Sequence, residues 1–352
     1  MKKNSSSIKE IISEAKQGKM FILVDNKDRE NEGDLVVPAS KANPKKINFM
    51  AKHGRGLICL ALTSKKVRKL NLPLMSLINK SRTQTAFTVS IESKKGISTG
   101  ISAYDRAKTV KVAIKPSSTK KDIVSPGHVF PLVAKNGGVL ERAGHTEASV
   151  DISKLAKLNP SAVICEVMNE DGTMARYKDL IPFAKKHRLK IAKIEDLISY
   201  RLKNEIFVRC ISSKKIKIKN FGNFDLKTFK NKLDGSEHYA ITKGKFNSSK
   251  ASRVRVISTN ILNSFFNLNK NIFKNSLKHL NRFNNFALIL IKGTNPNPTS
   301  SEKSNILRYY GVGAQIIKEL KIKNMILVSR SKKRVIALKG YGIKITKQEI
   351  IK

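Results

Sequence analysis

FILVDNKDRENEGD, residues 21–34, decides how the first part of this chain folds and where its chemistry lies. Its apolar start, residues 21–25, predicts a short buried strand. Residues 25–34 place five carboxylates within ten residues. Like charges this close raise one another's pKa unless a cation joins them, so the loop is either solvated or holds a metal ion or a positive substrate group. Counting charges does not decide between a solvated loop and a binding loop. If the loop binds a metal ion, its oxygen ligands suit Mg²⁺ or Mn²⁺.

Strands and helices alternate on both sides of this stretch. Apolar residues at a helical period after Ser5-Ser6-Ser7 predict an opening helix. The pattern beyond it predicts strands over 56–62, 86–91 and 161–167 and helices over 43–53, 103–115, 146–157, 178–187 and 194–203. This alternation is typical of one α+β or α/β unit.

A chain of 352 residues is long enough for two domains. The helix over 194–203 reads as the end of the first, and the composition then becomes richer in Lys and Asn. We therefore predict domains over 1–203 and 204–352. In the second, strands are expected over 206–209, 253–257 and 286–291, and a turn-rich loop over 293–301.

The net charge of +44, from 70 Lys and Arg against 26 Asp and Glu, raises the question of nucleic acid. A dedicated nucleic-acid binder concentrates its basic residues in a patch, whereas Lys is scattered along this whole chain. The scatter argues against a nucleic-acid partner and for a generally anion-friendly surface. With no run of about 20 apolar residues and three widely spaced cysteines, we predict a cytoplasmic protein with no membrane partner.

A second constellation is GVLERAGHTEA, residues 138–148. Backbone N–H groups at a helix start, together with Arg142 and the Thr146 hydroxyl, can hold a phosphate and leave His145 free to bind a metal. The alternative is that Thr146 caps the helix and Glu147 is solvated, and these residues taken alone favour that alternative.

Two single residues also attract attention. His128 stands in SPGHVFP, residues 125–131, where a Pro-Gly turn places it. Glu166 interrupts an apolar strand, so it is either a metal or proton-transfer residue or lies on a solvent-facing side. His and Glu in separate environments are typical of acid–base catalysis, although a lone His is more often structural.

Six motifs in order resemble those of the 3,4-dihydroxy-2-butanone 4-phosphate synthase family, across residues 5–203. They are RENEGDLVVPA (29–39), TAFTVSIE (85–92), STGISAYDRAKTV (98–110), SPGHVFPL (125–132), ERAGHTEASVDI (141–152) and ICEVMNEDGTMAR (164–176). The resemblance implies an α+β domain with a mixed sheet and flanking helices. It also implies conversion of D-ribulose 5-phosphate to L-3,4-dihydroxybutan-2-one 4-phosphate and formate in riboflavin biosynthesis. Mg²⁺ or Mn²⁺, as one or two ions, and a homodimer that completes each site across its interface are implied as well.

The resemblance carries residue roles onto matching positions. Glu30 and His145 are expected to ligate the metal, and His128 and Glu166 to be catalytic. The substrate is expected to contact Arg29, Glu30, Asp34, Arg142, Ala143, Gly144, His145, Thr146 and Glu166. Cys59 and Thr99 also fall near the substrate by the same resemblance, whereas Glu32 receives no role.

The second domain partly resembles GTP cyclohydrolase II, which implies a second α/β domain. RYYGVGAQI (308–316) and LKGYG (338–342) match late motifs of that family, but Asn260 stands where its first zinc cysteine belongs and 261–285 contains no Cys. Because an amide or a lysine cannot replace thiolate ligands, we expect no zinc and no GTP hydrolysis. A structural module, a regulatory module and a nucleotide-binding relic all stay open. The alternative for the whole chain is a basic RNA-binding or scaffold protein on a retained synthase fold.

Overall fold

A computed structural model describes residues 5–26, 29–76, 78–80, 83–246, 250–259, 270–292, 302–331 and 342–351, with the side chains of all of these except 258, 259, 270, 271 and 302–310. Contacts divide the chain into two units, Met1–Tyr200 and Arg201–Lys352. No helix in these ranges is long and apolar enough to cross a membrane.

The first unit is built on a seven-stranded mixed sheet. Its strands follow the order β4-β5-β3-β6-β2-β1-β7, in which only the pairs β3–β5 and β1–β7 are parallel. The strands are β1 (Phe21–Val24), β2 (Gly33–Pro38), β3 (Cys59–Thr63), β4 (Ile91–Ser93), β5 (Ile123–Ala134), β6 (Ser161–Glu166) and β7 (Lys190–Lys193). The sheet confirms the expected α+β class with a mixed sheet.

Helices cover both faces of this sheet. They are α1 (Ile8–Lys16), α2 (Pro44–Phe49), α3 (Ser64–Lys69), α4 (Ala103–Ile114), α5 (His145–Leu155), α6 (Tyr177–Lys186) and α7 (Ile194–Asn204), with single turns at Ala39–Lys41, Met50–Gly54, Lys120–Asp122 and Gly138–Leu140. Leu60 and Leu62 of β3 pack on the face that carries α2 and α4, whereas Ala61 packs against Val150 of α5. Because both faces are buried, β1 reads as a continuous apolar run, and all six residues of β2 are buried as well.

The second unit carries its own seven-stranded sheet, in the order β14-β13-β11-β12-β10-β9-β8. Strands β11 to β14 pair in parallel, whereas β8, β9, β10 and β12 pair antiparallel. The elements are β8 (Val208–Ile218), β9 (Gly222–Asn231), β10 (Glu237–Lys243), β11 (Ser252–Thr259), α8 (Lys270–Leu280), β12 (Phe286–Lys292), α9 (Glu302–Glu319), β13 (Asn324–Ser329) and β14 (Lys344–Ile350). It is the expected second α/β domain.

One predicted strand is wrong. Residues 86–91 form only isolated bridges, and a strand begins at Ile91. The backbone there pairs with Pro131 and Val133 on one side and with Pro73 and Met75 on the other, so no continuous ladder forms. The predicted loop over 293–301 and the residue Asn260 lie outside the described residues.

Candidate active site

The loop before β2, the start of β2, the end of β6 and the start of α5 border a cavity of about 220 Å³. Asp34 of β2 stands directly opposite Glu166 of β6 in the antiparallel pair, so two carboxyl groups from distant motifs meet there. The lining residues are Arg29, Glu30, Glu32, Asp34, Cys59, Thr83, Thr85, Phe87, Leu132, Arg142, His145, Thr146, Ile164 and Glu166. Most of the expected site residues therefore share one cavity.

The acidic loop between β1 and β2 folds around Asp25. The buried Asp25 carboxylate accepts hydrogen bonds from Arg29 Nη1 at 2.8 Å, from the Glu32 N–H at 3.0 Å and from the Glu30 N–H at 3.2 Å. Arg29 also pairs with the Glu30 carboxylate. Asp25 thus holds the loop in place, and Glu30 is turned into the cavity.

His145 lies between two acidic groups. Its Nδ1 is 3.7 Å from Glu30 Oε2 and 3.7 Å from Asp34 Oδ1. His145 and Asp34 are both buried, at 6% and 3% exposure. His145 Nε2 and Asp34 Oδ1 are buried and have no hydrogen-bond partner within the described part of the chain. Two unsatisfied polar atoms on residues that line one cavity indicate a ligand-binding site, since buried polar groups are otherwise paired.

These groups shift one another's pKa values strongly. Burial raises the pKa of Asp34 to about 8, and the His145 charge only partly offsets it. Burial opposes protonation of His145, but the charge of Asp34 and a hydrogen bond with Glu30 outweigh it and raise the His145 pKa to about 9. Burial likewise opposes ionisation of Glu30, yet His145 and Arg29 lower its pKa to about 2.

The donor set fits a divalent cation. Asp25, Glu30 and His145 each offer a ligand atom within 4.8 Å of the other two. The Asp25 carboxylate is already engaged by the loop, which leaves Glu30 and His145 as the available donors. Four carboxyl groups and two arginines line the cavity. A bound cation would add positive charge beside an anionic substrate.

Arg142 links the start of α5 to the opposite wall of the cavity. Its Nη1 donates to the buried Glu147 carboxylate at 2.6 Å, while its Nη2 donates to the Thr83 carbonyl at 3.0 Å and the Thr85 hydroxyl at 2.8 Å. Glu147 is only 1% exposed. The interpretation of Glu147 as a solvated residue is therefore wrong, because this carboxylate neutralises Arg142.

The capping interpretation of Thr146 is wrong as well. The helix begins at His145 with Gly144 as its N-cap, and Thr146 lines the cavity from the first turn. A Cβ on Gly144 would lie 2.3 Å from Arg142 Nη1, so a larger residue there would displace the Arg142 guanidinium. Arg142, Ala143, Gly144, His145 and Thr146 form the turn that presents the helix start to the cavity.

Glu166 ends β6 and points into the cavity, half buried. Its Oε2 accepts the Leu57 N–H at 2.8 Å. The turn at Gly56 packs so closely that a Cβ there would lie 2.6 Å from Glu166 Oε2. Beside it, burial and the charge of Glu166 raise the pKa of the Cys59 thiol well above its usual range.

His128 is not among the residues that line this cavity. It lies in β5, on the side that faces β4, where its Nδ1 contacts the Glu92 carboxylate. Thr99 does not line the cavity either. Within one chain, the structure therefore separates His128 and Thr99 from the other expected site residues.

Sequence reasoning gave no role to Asp25, Thr83, Thr85, Glu92 or Glu147. Asp25 was visible as a carboxylate directly after an apolar strand. Glu147 carried a signal too, because an acidic residue in the first turn of a helix beside Arg is a pairing candidate. The threonines and Glu92 carry no local signal, since their role depends on which loops meet in space.

Similarity to known proteins identifies the family of the first unit. Residues 9–200 match the 3,4-dihydroxy-2-butanone 4-phosphate synthase family. The chain belongs to this family. A riboflavin biosynthesis protein RibBA of Aquifex aeolicus is 42% identical over 99% of this chain and 92% of its own length. RibBX, a two-domain 3,4-dihydroxy-2-butanone 4-phosphate synthase from A. baumannii, superimposes with a TM-score of 0.84 at 39% identity over 99% of both chains.

The remaining comparisons concern the metal and the second unit. A 3,4-dihydroxy-2-butanone 4-phosphate synthase solved in complex with two magnesium ions matches 56% of this chain and 98% of its own, with a TM-score of 0.54 and 36% identity. Residues 209–284 and 275–349 match the GTP cyclohydrolase II family. The expected resemblances to the synthase family and to GTP cyclohydrolase II are thereby confirmed.

Proposed function

We propose that residues 1–203 of this synthase-family chain convert D-ribulose 5-phosphate to L-3,4-dihydroxybutan-2-one 4-phosphate and formate. The observation that carries the proposal is the cluster of Glu30, Asp34 and His145, in which His145 Nε2 and Asp34 Oδ1 lack partners inside a cavity of about 220 Å³. Such a cluster suits a ligand rich in oxygen atoms. The net positive charge of the chain favours an anionic substrate.

Glu30 and His145 are proposed to hold Mg²⁺ or Mn²⁺, with room in the donor set for a second ion beside Asp34. Their carboxylate and imidazole donors fit such ions. When bound, the ion supplies positive charge to substrate oxygens that become more negative during the reaction. The two magnesium ions of the related synthase support this assignment.

The other residues are proposed to bind and orient the sugar phosphate. The turn 142–146, which leads into α5, offers backbone N–H groups and the Thr146 hydroxyl to phosphate oxygens. Arg29 and Asp34 border the same cavity and would contact the sugar. Glu166, fixed by the Leu57 N–H, would move a proton at a substrate carbon or hydroxyl.

We further propose that the enzyme works as a homodimer in a reducing, cytoplasmic setting. His128 lies outside the cavity of its own chain, and its side chain is 44% exposed, as expected if it serves a neighbouring copy. Cys59 and Cys165 are both free thiols. Mixing His128→Ser and Glu166→Gln protomers should restore part of the activity, because one hybrid site would keep both residues.

Residues 204–352 are proposed to lack GTP hydrolase activity. Cys210 is the sole cysteine after residue 203, whereas hydrolytic zinc needs several strong donors and an open position. Stoichiometric zinc together with formate release from GTP would contradict this.

A formate assay with ribulose 5-phosphate, with and without EDTA, tests the main proposal. We expect Mg²⁺-dependent formate release that EDTA removes. RNA binding with steep salt dependence and no formate release would instead favour the scaffold alternative.

A further inference from the structure

A second cavity of the first unit, of about 150 Å³, lies beyond the end of β6. It shares no lining residue with the active-site cavity. Its walls come from the turn Met50–Gly54, the segment that follows β6, and helix α6. Six of its lining side chains are titratable, namely His53, Arg55, Glu170, Asp179, Lys186 and His187.

The two histidines of this cavity stack within a cluster of aromatic rings. The His53 and His187 ring centroids are 4.8 Å apart. Phe49 lies 4.7 Å from the His53 ring, and Phe183 lies 4.6 Å from the His187 ring. Neither imidazole has a hydrogen bond or an ion pair within the described part of the chain. The rings are therefore held side by side, and their nitrogens are available to a ligand.

The charged groups around these histidines are mainly basic. Burial lowers the pKa of His53, and the positive charges of Lys52, Arg55 and Lys186 lower it further. Burial, the neighbouring His53 and Lys186 lower the pKa of His187 in the same way. A negative ligand would relieve this repulsion, because an opposite charge favours the protonated imidazole.

The two carboxylates of the cavity have other partners. Asp179 accepts the Arg176 N–H at 3.0 Å, at the start of α6. Glu170 is 89% exposed and lies 3.6 Å from Arg55 Nη2, and an exposed pair of this kind contributes little to stability. Lys186 forms no ion pair with any described residue. Two basic side chains can thus turn to an added anion.

The geometry does not favour a metal ion in this cavity. Among the described residues, three potential ligand atoms come within 4.8 Å of one another only at Asp25, Glu30 and His145. The basic neighbours would also repel a cation. An oxyanion fits better, because Arg55 and Lys186 offer N–H donors and each histidine adds a donor when it is protonated.

We propose that this cavity binds a small oxyanion, either free phosphate or the phosphate group of a small monoester, through two basic side chains and two imidazoles. The basic side chains are those of Arg55 and Lys186, and the imidazoles are those of His53 and His187. Arg55 is anchored by its Nη1, which donates to the Met168 carbonyl at 2.9 Å, so its Nη2 is the donor left for the anion. The site does not depend on the reaction proposed for the active-site cavity.

Protonation is linked to this binding. At neutral pH the two imidazoles are largely uncharged, because burial and the basic neighbours oppose their protonation. As the pH falls, each protonated ring adds a positive charge and a donor, so the affinity for the anion rises. The bound anion in turn raises the pKa of both rings.

The test is an NMR titration of the full-length chain with sulfate, whose charge stays constant over the working pH range, and then with phosphate and glycerol 3-phosphate. The imidazole signals are assigned with His53→Gln and His187→Gln, and those of His238 and His279 in the second unit serve as references. Lys186→Gln removes a proposed donor. Lys185→Gln is the matched control, because Lys185 is the exposed neighbour in α6 that does not line the cavity.

We expect sulfate to shift the His53 and His187 signals at about pH 6 and to raise the pKa of each ring by about half a unit or more. The Kd for sulfate should be about tenfold lower at pH 6 than at pH 8. Lys186→Gln should raise this Kd about fivefold, whereas Lys185→Gln should leave it unchanged. Tighter binding of glycerol 3-phosphate than of phosphate would identify a monoester as the ligand, and equal binding would identify the free ion.

His53 and His187 signals that do not move with any of the three anions would overturn the proposal. Equal weakening by Lys186→Gln and Lys185→Gln would overturn it too, because it would show only a general attraction to the net charge of +44. Shifts with Zn²⁺ but not with sulfate would replace the oxyanion site by a metal site.

Discussion

The two units bury charge in opposite ways. The first buries five carboxyl groups, on Asp25, Asp34, Asp105, Glu147 and Asp151, whereas no carboxyl group of the second unit is buried within the described residues. Buried carboxyl groups are costly unless they are paired, and of these five only Asp34 has a buried oxygen without a hydrogen-bond partner within the described residues. The contrast indicates that chemistry is concentrated in the first unit.

The buried polar groups of the second unit are largely satisfied by the protein itself. Gln315 in α9 illustrates this, because its Oε1 accepts the Phe207 and Val208 N–H groups while its Nε2 donates to the Leu202 and Glu205 carbonyls. His238 is similar, with Ser236 at one ring nitrogen and the Lys292 N–H at the other. Neither side chain has a nitrogen or oxygen left for a ligand, unlike His145.

The largest effect on activity is expected for Glu166 in the first unit. Glu166→Gln keeps the shape of the side chain and removes its charge, so we expect formate release to fall about 10³-fold with the fold intact. His128→Ser should act similarly. Circular dichroism checks the fold, and Glu170→Gln, whose side chain is 89% exposed, is the matched control. Near-normal turnover in Glu166→Gln would contradict the assigned role.

A smaller loss is expected where backbone crowds the site. Gly56→Ala places a Cβ 2.6 Å from the Glu166 carbonyl and carboxylate oxygens, so the carboxylate must shift. A shift on the scale of an ångström costs about 10²-fold in rate. Steady-state kinetics should show the loss mainly in kcat.

Gly313→Ala in α9 is the control from the second unit. Its Cβ would meet nothing closer than 3.4 Å, and alanine favours helix by about 1 kcal/mol over glycine. We expect unchanged kinetics and equal or higher stability. Equal activity losses in both glycine variants would remove the distinction between the two units.

Much of the fold and of the candidate site could be predicted from the sequence. Apolar runs and helical periods located α1, α4, α5, α6 and α7, and motif order placed Glu30, Asp34, His145 and Glu166 in one site. The strand β2 was missed because its six buried residues follow an acidic loop that dominates the pattern. Contacts that depend on tertiary folding, such as Arg142 with Thr83 and His128 with Glu92, leave no trace in local sequence.

The self-satisfied polar groups of the second unit can be tested at Gln315. Gln315→Leu leaves two backbone N–H groups and two carbonyls unpaired in a buried place, each N–H costing about 1–3 kcal/mol. We expect a loss of several kcal/mol in the stability of this unit, measured by urea denaturation. Gln17→Leu, on an exposed helix end, is the control and should change little. A small effect of Gln315→Leu would mean that water replaces the lost bonds.

The smallest effect is expected in the pH dependence of the stability of the first unit without metal. The raised pKa of His145, about 9, stabilises the fold fully below pH 6.5, and this contribution is lost as the pH rises through about 9. Asp34, with its pKa raised from 3.8 to about 8, acts in the same direction, because the folded state prefers its protonated form. Both contributions decline between pH 6.5 and 8, so the melting temperature in EDTA should fall by a few degrees across that window.

Added Mg²⁺ should reverse this fall, because a cation replaces the protons that Asp34 and His145 otherwise retain. We therefore expect calorimetry at several pH values to show a larger Mg²⁺-induced rise in melting temperature at pH 8 than at pH 6. Asp34→Asn should flatten the EDTA curve, whereas Asp171→Asn, on an exposed turn, should not. If the curve stays the same in Asp34→Asn, the buried cluster does not set the pH dependence, and the unsatisfied atoms of the first unit lose their link to metal binding.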